Sequence, residues 1–181
     1  MKWLISVDPG IRGCGVAIFN DAKLVSAAYV KNPRLAGGGP DACVDMAREV
    51  YAHFAATFGG PFWSVDLAVE WPRVYASRIR AGSSKGDPND LLALCGVDAA
   101  VALILEPDET TAYAPSDWKG QLEKDTCHAR IRSRLSPAEL AVFESVRPKS
   151  LAHNAWDAVG IGLHHLGRGL VGAGRVRVIA P

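Results

Sequence analysis

The sequence of 181 residues predicts an α/β fold in which a mixed five-stranded sheet is flanked by helices. Two observations lead to this prediction. Three short apolar runs, each bounded by turn residues, come first and predict an antiparallel meander. Two further apolar runs then alternate with segments of helical periodicity, an order typical of parallel strands with helices on the faces of the sheet.

Composition and length favour one domain over residues 1–181, since 49% of the residues are apolar and can form a sizeable core. No apolar run reaches the length of a transmembrane helix, and Asp8 follows the N-terminus too closely for a secretory signal. We therefore expect a cytoplasmic protein without a membrane partner. The four cysteines are scattered and form no C-x-x-C pair, which favours reduced thiols over a zinc ribbon or disulfides.

The first stretch of the chain places a carboxylate where two strands meet. Apolar runs at 3–7 and 16–19 predict the strands, and Asp8 follows the first of them directly. Gly10, Gly13 and Gly15 leave the intervening backbone open to close approach. This arrangement suits a metal ion or a phosphate, while the alternative is that Asp8 merely caps the turn.

The remaining elements follow from apolar spacing and from caps. Strands are predicted at 24–30, 65–69 and 110–113, and helices at 41–58, 89–105, 115–119, 124–135, 136–146 and 150–166. Residues 175–179 suggest an edge strand. Gly59 and Gly60 end the first helix, and the Ser136–Glu139 spacing is a capping signature.

Three acidic residues stand where apolar elements end or turn inward. Asp8 follows the first strand, Glu70 follows the fourth, and Asp157 lies in the apolar last helix. If the first and fourth strands are neighbours, Asp8 and Glu70 emerge side by side. Carboxylates that converge repel each other, and Mg²⁺ or Mn²⁺ would relieve that repulsion. Taken singly, each acid has an ordinary alternative, such as an ion pair of Asp157 with Arg168 or Lys149.

The chain resembles the RuvC-type Holliday-junction resolvases of the ribonuclease H-like superfamily. The matching segments are DPG at 8–10 with Gly15, LAVE at 67–70, YAPSDWK at 113–119 and NAWDA at 154–158. The resemblance spans about the whole chain and implies a ribonuclease H-like sheet. It also implies that Lys119 stands at the place of a functional lysine.

The chain departs from the family pattern three residues before the final aspartate. Family members carry Asp or His there, whereas this chain has Asn154, with His153 one place earlier. An amide oxygen can bind a metal but cannot act as a base. Either His153 reaches the site, or three carboxylates and the Asn154 amide form it.

The resemblance implies cleavage of DNA phosphodiester bonds with two divalent ions, Mg²⁺ or Mn²⁺, in each active site. Asp8 would bridge the ions, and Glu70, Asn154 and Asp157 would complete their coordination. His153 would act on the attacking water, and Lys119 would neutralise charge on the scissile phosphate. The catalytic residues implied are thus Asp8, Glu70, Lys119, His153 and Asp157.

Basic residues are concentrated in two segments that could contact phosphates, although the net charge is only +1. The candidate DNA-binding residues are Arg73, Tyr75, Arg78, Arg80, Lys85, Lys124 and Arg130. Tyr75 and Trp71 could stack on unpaired bases, although for Trp71 packing in the core is the stronger expectation. A charge run can equally be a solvated helix face.

Symmetric nicking of a four-way junction requires two equal sites, and the resemblance implies a homodimer. The apolar helix at 89–105 is a candidate dimer surface, or else a central core helix. Branched DNA is the expected substrate, and a branch-migration helicase is the candidate protein partner.

Three other functions are considered. An actin-like or sugar-kinase ATPase also has D-x-G-x-x-x-x-G after a strand, but such enzymes need two domains to close on ATP. A YqgF-type enzyme that processes ribosomal RNA precursors would share the Asp8 and Glu70 motifs. A non-catalytic junction-binding module would be consistent with Asn154.

Overall fold

The structure, a computed structural model, describes residues 2–33, 39–58, 64–72 and 88–169. In this part of the chain five strands form one sheet in the order β3-β2-β1-β4-β5. The strands are β1 (Trp3–Asp8), β2 (Gly13–Asn20), β3 (Lys23–Lys31), β4 (Val65–Glu70) and β5 (Glu109–Tyr113). β1, β2 and β3 pair with one another in antiparallel fashion, and β4 and β5 continue the sheet in parallel with β1. The predicted mixed sheet is therefore confirmed.

Six α-helices are found in the described residues. They are α1 (Pro40–Phe58), α2 (Pro88–Leu105), α3 (Pro115–Trp118), α4 (Lys124–Arg134), α5 (Pro137–Glu144) and α6 (Ala152–His165). Ser136 caps α5 as predicted, since its side chain accepts a hydrogen bond from the N–H of Glu139.

The sheet is covered on both faces because its strands alternate their side chains between two apolar clusters. In β1, Ile5 and Val7 pack towards α1 and α2, whereas Leu4 belongs to the cluster beneath α6. Phe19 and Trp118 are fully buried in the α6 cluster, and Phe54 and Met46 in the other. The core is thus split into two layers by the sheet, and α6 spans the face that carries Leu4.

Several boundaries differ by one to three residues from the sequence prediction, and two of them lie beside candidate site residues. β2 begins at Gly13, three residues early, because Gly13 pairs with Lys31 and Gly15 pairs with Asp8 across the ladders. The predicted start of the last helix is a 3₁₀ turn at Lys149–Leu151, from which α6 continues. The predicted edge strand at 175–179 lies outside the described residues.

Helix α2 is buried along one face and exposed along the other. Val97, Val101 and Leu105 are buried in the core, whereas the side chains of Leu92 and Leu103 are more than 70% exposed on its other face. None of the helices in the described ranges has both the length and the hydropathy needed to cross a bilayer.

Candidate active site

The pairing of β1 with β4 brings two of the acids together. Val7 pairs with Val69 in parallel register, so that Asp8 and Glu70 follow at the same edge of the sheet. Ser6 lies on the same face of β1 as Asp8, two residues away, and its hydroxyl donates to the carbonyl of Ala158 at 2.8 Å. Asp8 therefore faces α6, the helix that carries Asp157.

Glu70 and Asp157 act electrostatically on the carboxyl of Asp8. The pKa of Asp8 lies well above the usual aspartate range, first because its carboxyl is buried and then because Glu70 and Asp157 are close. Lys119 and Lys124 act in the opposite direction on the same carboxyl. Glu70 and Asp157 are therefore close enough to Asp8 to act on its carboxyl, and a common metal site for the three acids stays a prediction.

Glu70 is held by two consecutive residues at the end of α3. The indole N–H of Trp118 donates to its Oε2 at 2.7 Å, and the Lys119 ammonium donates to the same oxygen at 3.2 Å. Lys119 Nζ also lies 4.6 Å from the centroid of the Trp118 ring. Burial alone would lower the pKa of Lys119, but attraction to Glu70 and Asp157 raises it above its usual value. The lysine is therefore fully charged at neutral pH.

Asp157 is contacted from α4. Its Oδ1 lies 3.1 Å from Nε2 of His128, and both side chains are largely buried. The alternative ion pairs considered for Asp157 are not formed, because Arg168 binds Glu139 and Lys149 donates to the carbonyl of Glu144. Within the described residues, the contact that holds Asp157 therefore comes from His128 and not from Arg168 or Lys149.

Asn154 and His153, the two candidates for the fourth residue of the metal site, lie in the first turn of α6. The carbonyl of Asn154 packs so closely over β2 that a Cβ built on Gly15 would overlap it, which explains why this position carries glycine. Nδ1 of His153 lies 3.2 Å from the carbonyl of Ser150, in the preceding turn. The catalytic role of His153 and the ligand role of Asn154 stay predictions.

The candidate DNA contacts fall partly within the described chain. Lys124 and Arg130 are exposed on α4, where they are accessible to a polyanion. Trp71, expected in the core, is instead 38% exposed directly after Glu70, because β4 ends there and the chain leaves the sheet. Arg73, Tyr75, Arg78, Arg80 and Lys85 lie outside the described residues.

Two contacts of the site were not foreseen from the sequence. Trp118 as a donor to Glu70 could have been suspected, because it precedes Lys119 in the quoted YAPSDWK segment. For His128, no sequence signal indicates a contact with Asp157, 29 residues away. Both contacts join side chains from different elements.

The donor chemistry of the site fits a hard divalent cation. Asp8, Glu70 and Asp157 offer only carboxylate oxygens, and a cation would relieve the repulsion that raises the pKa of Asp8. The contacts of Trp118, Lys119 and His128 use one oxygen of Glu70 and one of Asp157. In the described ranges, no three His, Cys, Asp or Glu side chains already stand in the arrangement of a metal centre.

Comparison with solved structures identifies the fold. A RuvC structure from Thermus thermophilus superimposes with a TM-score of 0.53 at 18% identity, over 92% of this chain and 98% of that one. T. thermophilus RuvC in complex with a Holliday junction substrate gives a TM-score of 0.52 at 15% identity, over 93% and 98% of the two chains. The chain has a RuvC-type fold. No protein-family model and no curated protein matches the sequence.

The RuvC-type fold accounts for the order of the elements around the site. Its mixed five-stranded sheet, flanked by helices, agrees with the fold that the resemblance implies. The superposition covers nearly the full length of both chains.

Proposed function

We propose that this chain is a divalent-metal-dependent endonuclease that resolves four-way DNA junctions. One observation carries the proposal: Asp8 and Glu70 leave adjacent parallel strands at one edge of a RuvC-type sheet and share their electrostatic environment with Asp157 on α6. Acids that repel each other at the end of a sheet are costly for stability and are expected where a function requires them.

The metal would be held by Asp8, Glu70 and Asp157, with the amide of Asn154 as a fourth candidate. Two bound ions, Mg²⁺ or Mn²⁺, would activate a water and stabilise the leaving oxygen of an in-line phosphodiester displacement. The chain also contributes a positive charge next to the acidic residues. Lys119, charged and fixed beside Glu70, would offset negative charge on a scissile phosphate.

The surroundings of the site favour a nucleic-acid substrate. Lys124 and Arg130 are exposed on α4, and Lys124 is close enough to the site to lower the pKa of Asp8. Both would bind backbone phosphates. Trp71, exposed next to Glu70, would stack on an unpaired base at a branch point. These features suit distorted DNA with accessible bases better than a small-molecule substrate.

A homodimer would provide the two sites that symmetric nicking needs. Helix α2 supports this part of the proposal, since Leu92 and Leu103 expose large apolar side chains beside a groove shared with α1. The groove has a volume of about 830 Å³ and is lined mainly by apolar side chains. A branch-migration helicase as a further partner stays a prediction.

The deciding experiment compares substrates under matched conditions. The purified chain is incubated with a labelled four-way junction, a linear duplex of the same sequence and a structured RNA, each with Mg²⁺, Mn²⁺ or EDTA. We expect paired nicks in the junction only when a metal is present. Cleavage of the RNA alone would favour a YqgF-type activity, and binding of the junction without cleavage would favour a non-catalytic module.

A further inference from the structure

His128 and Asp157 meet between two helices that the sequence separates by a further helix and a 3₁₀ turn. The distance from His128 Nε2 to Asp157 Oδ1 is 3.1 Å, with 16% and 19% of the respective side chains exposed. An ionised carboxylate can only accept hydrogen bonds. In this contact Nε2–H of His128 is therefore the hydrogen-bond donor, and Oδ1 of Asp157 is the acceptor.

The imidazole is fixed by packing that does not depend on Asp157. Its ring is stacked on the indole of Trp156, with centroids 6.1 Å apart and an angle of 26° between the planes. Trp156 is in turn stacked on Phe143 of α5 at 3.6 Å, also with an angle of 26°. On the inner side of α4, the flanking residues Cys127 and Ile131 are buried in the core. The donor is thus presented by a rigid aromatic stack.

The remainder of the site explains why such a donor matters. Asp157 lies on a helix whose neighbouring positions are mostly apolar, and it shares its surroundings with two other carboxylates. A carboxylate in that setting needs a partner that sets its rotamer while leaving one oxygen for another ligand. His128 contacts Oδ1, and the contact does not use Oδ2.

We propose that His128 is a positioning residue that orients Asp157 for divalent-metal binding by donating a hydrogen bond from Nε2. The proposal rests on the function proposed above, because it takes Asp157 to be a metal ligand. Outer partners of this kind fix a ligand's orientation, and their loss typically weakens metal binding 10-fold to 100-fold. Of the two histidines near the site, His128 has this role, whereas His153 contacts Ser150.

The test measures metal binding directly by titrating Mn²⁺ into the full chain in a calorimeter. His128→Phe keeps a planar ring on Trp156 but removes the donor, and we expect its Kd for Mn²⁺ to rise about 10-fold to 100-fold. His128→Gln keeps an N–H donor and should recover most of the affinity. His53→Phe is the matched control, since His53 lies on α1, where it contacts Ser26.

The outcomes separate this inference from the proposed function. If the unaltered chain does not bind Mn²⁺, the metal-dependent function fails and the inference fails with it. If the unaltered chain binds Mn²⁺ and His128→Phe binds it equally well, only the role of His128 is overturned. Equal weakening in the Phe and Gln variants would also overturn it, because the ring and not the donor would then be required.

A purely structural role is tested in the same samples. Thermal unfolding should give a Tm for His128→Phe close to that of the unaltered chain, while the Mn²⁺ affinity differs. If His128→Phe fails to fold, the comparison is made with His128→Gln and His128→Leu, which must then differ in Mn²⁺ affinity. Equal affinities in that pair would contradict the proposal.

Discussion

The indole N–H of Trp118 donates a 2.7 Å hydrogen bond to Oε2 of Glu70, linking a fully buried aromatic ring to a carboxylate at the edge of the sheet. Lys119 binds the same oxygen. A buried donor with a single acceptor fixes that acceptor more firmly than a mobile surface group can. The orientation of the Glu70 carboxylate is therefore fixed by a side chain of the core, Trp118.

Replacing Trp118 by Phe should remove this restraint while keeping most of the apolar volume. We expect a loss of roughly 1–3 kcal/mol in the free energy of unfolding, since a hydrogen bond to a charged group is lost, together with weaker Mn²⁺ binding. Urea denaturation and calorimetry measure the two effects. Trp3→Phe is a matched control on the opposite face, where Trp3 packs on Phe54 and Phe58, and should leave Mn²⁺ affinity unchanged.

The three acids should be separable from substrate binding. Asp8→Asn, Glu70→Gln and Asp157→Asn should each abolish Mg²⁺-dependent cutting of a four-way junction while sparing junction binding, because each substitution removes one anionic ligand. Gel assays of cleavage and of binding follow both properties. Asp45→Asn on α1 serves as the control. Retained cleavage in any one of the three would remove that residue from the site.

The exposed cations of α4 should act through phosphate contacts. The double substitution Lys124→Ala with Arg130→Ala should weaken junction binding and lower the slope of log K against log salt by about 1 per lost contact. Titrations at several salt concentrations measure that slope. An unchanged slope would show that this face of α4 is merely solvated.

Asp98 should make the protein less stable as the pH rises. The residue is 2% exposed on α2, and neither carboxyl oxygen has a hydrogen-bond partner in the described part of the chain. Its pKa lies well above the usual range, first because of burial and then because of Asp8 and Glu70. The folded state therefore keeps a proton that the unfolded chain releases near pH 4, and stability falls from about that pH upwards.

Asp98→Asn should flatten this dependence, which can reach at most about 1.4 kcal/mol per pH unit for one proton. Urea denaturation between pH 4 and pH 8 provides the measurement. Asp125→Asn, at an exposed position of α4, should keep the slope of the unaltered chain. A variant at position 98 that retains the full slope would assign the pH dependence to other groups.

Glu139 and Arg168 should give the opposite dependence. Burial would raise the pKa of Glu139, but hydrogen bonds from Arg168 and from the N–H groups of Leu24 and Ser136 lower it to about 2. The two guanidinium contacts, at 2.8 and 3.0 Å, are bidentate. This stabilisation is present above the unfolded-state pKa and is lost as the pH falls from about 4 towards 2.

Arg168→Ala should therefore lower the free energy of unfolding at pH 7 by about 2 kcal/mol and make the loss of stability in acid less steep. Chemical denaturation at pH 3, 5 and 7 follows both effects. Arg132→Ala breaks the exposed pair with Glu144 and should cost less than about 1 kcal/mol. Equal losses in the two variants would contradict the structural role given to Glu139.

Local patterns in the sequence determined most of the fold and the carboxylates of the site. Short apolar runs predicted the strands that end at Asp8 and Glu70, and helical spacing placed Asp157 on the last helix. These patterns depend on contacts within two to four residues, which the order of residues specifies directly. The fold class followed from them, whereas the neighbouring positions of Asp8 and Glu70 required the pairing of β1 with β4 seen in the structure.

Only the tertiary structure decided which groups surround those acids. It placed His128 against Asp157 and Trp118 against Glu70, left Asp98 buried without a hydrogen bond in the described residues, and exposed Trp71. Each outcome depends on how one element packs across another, and a small change in helix position would exchange one partner for another. The spacing of residues along a chain carries no information on that packing.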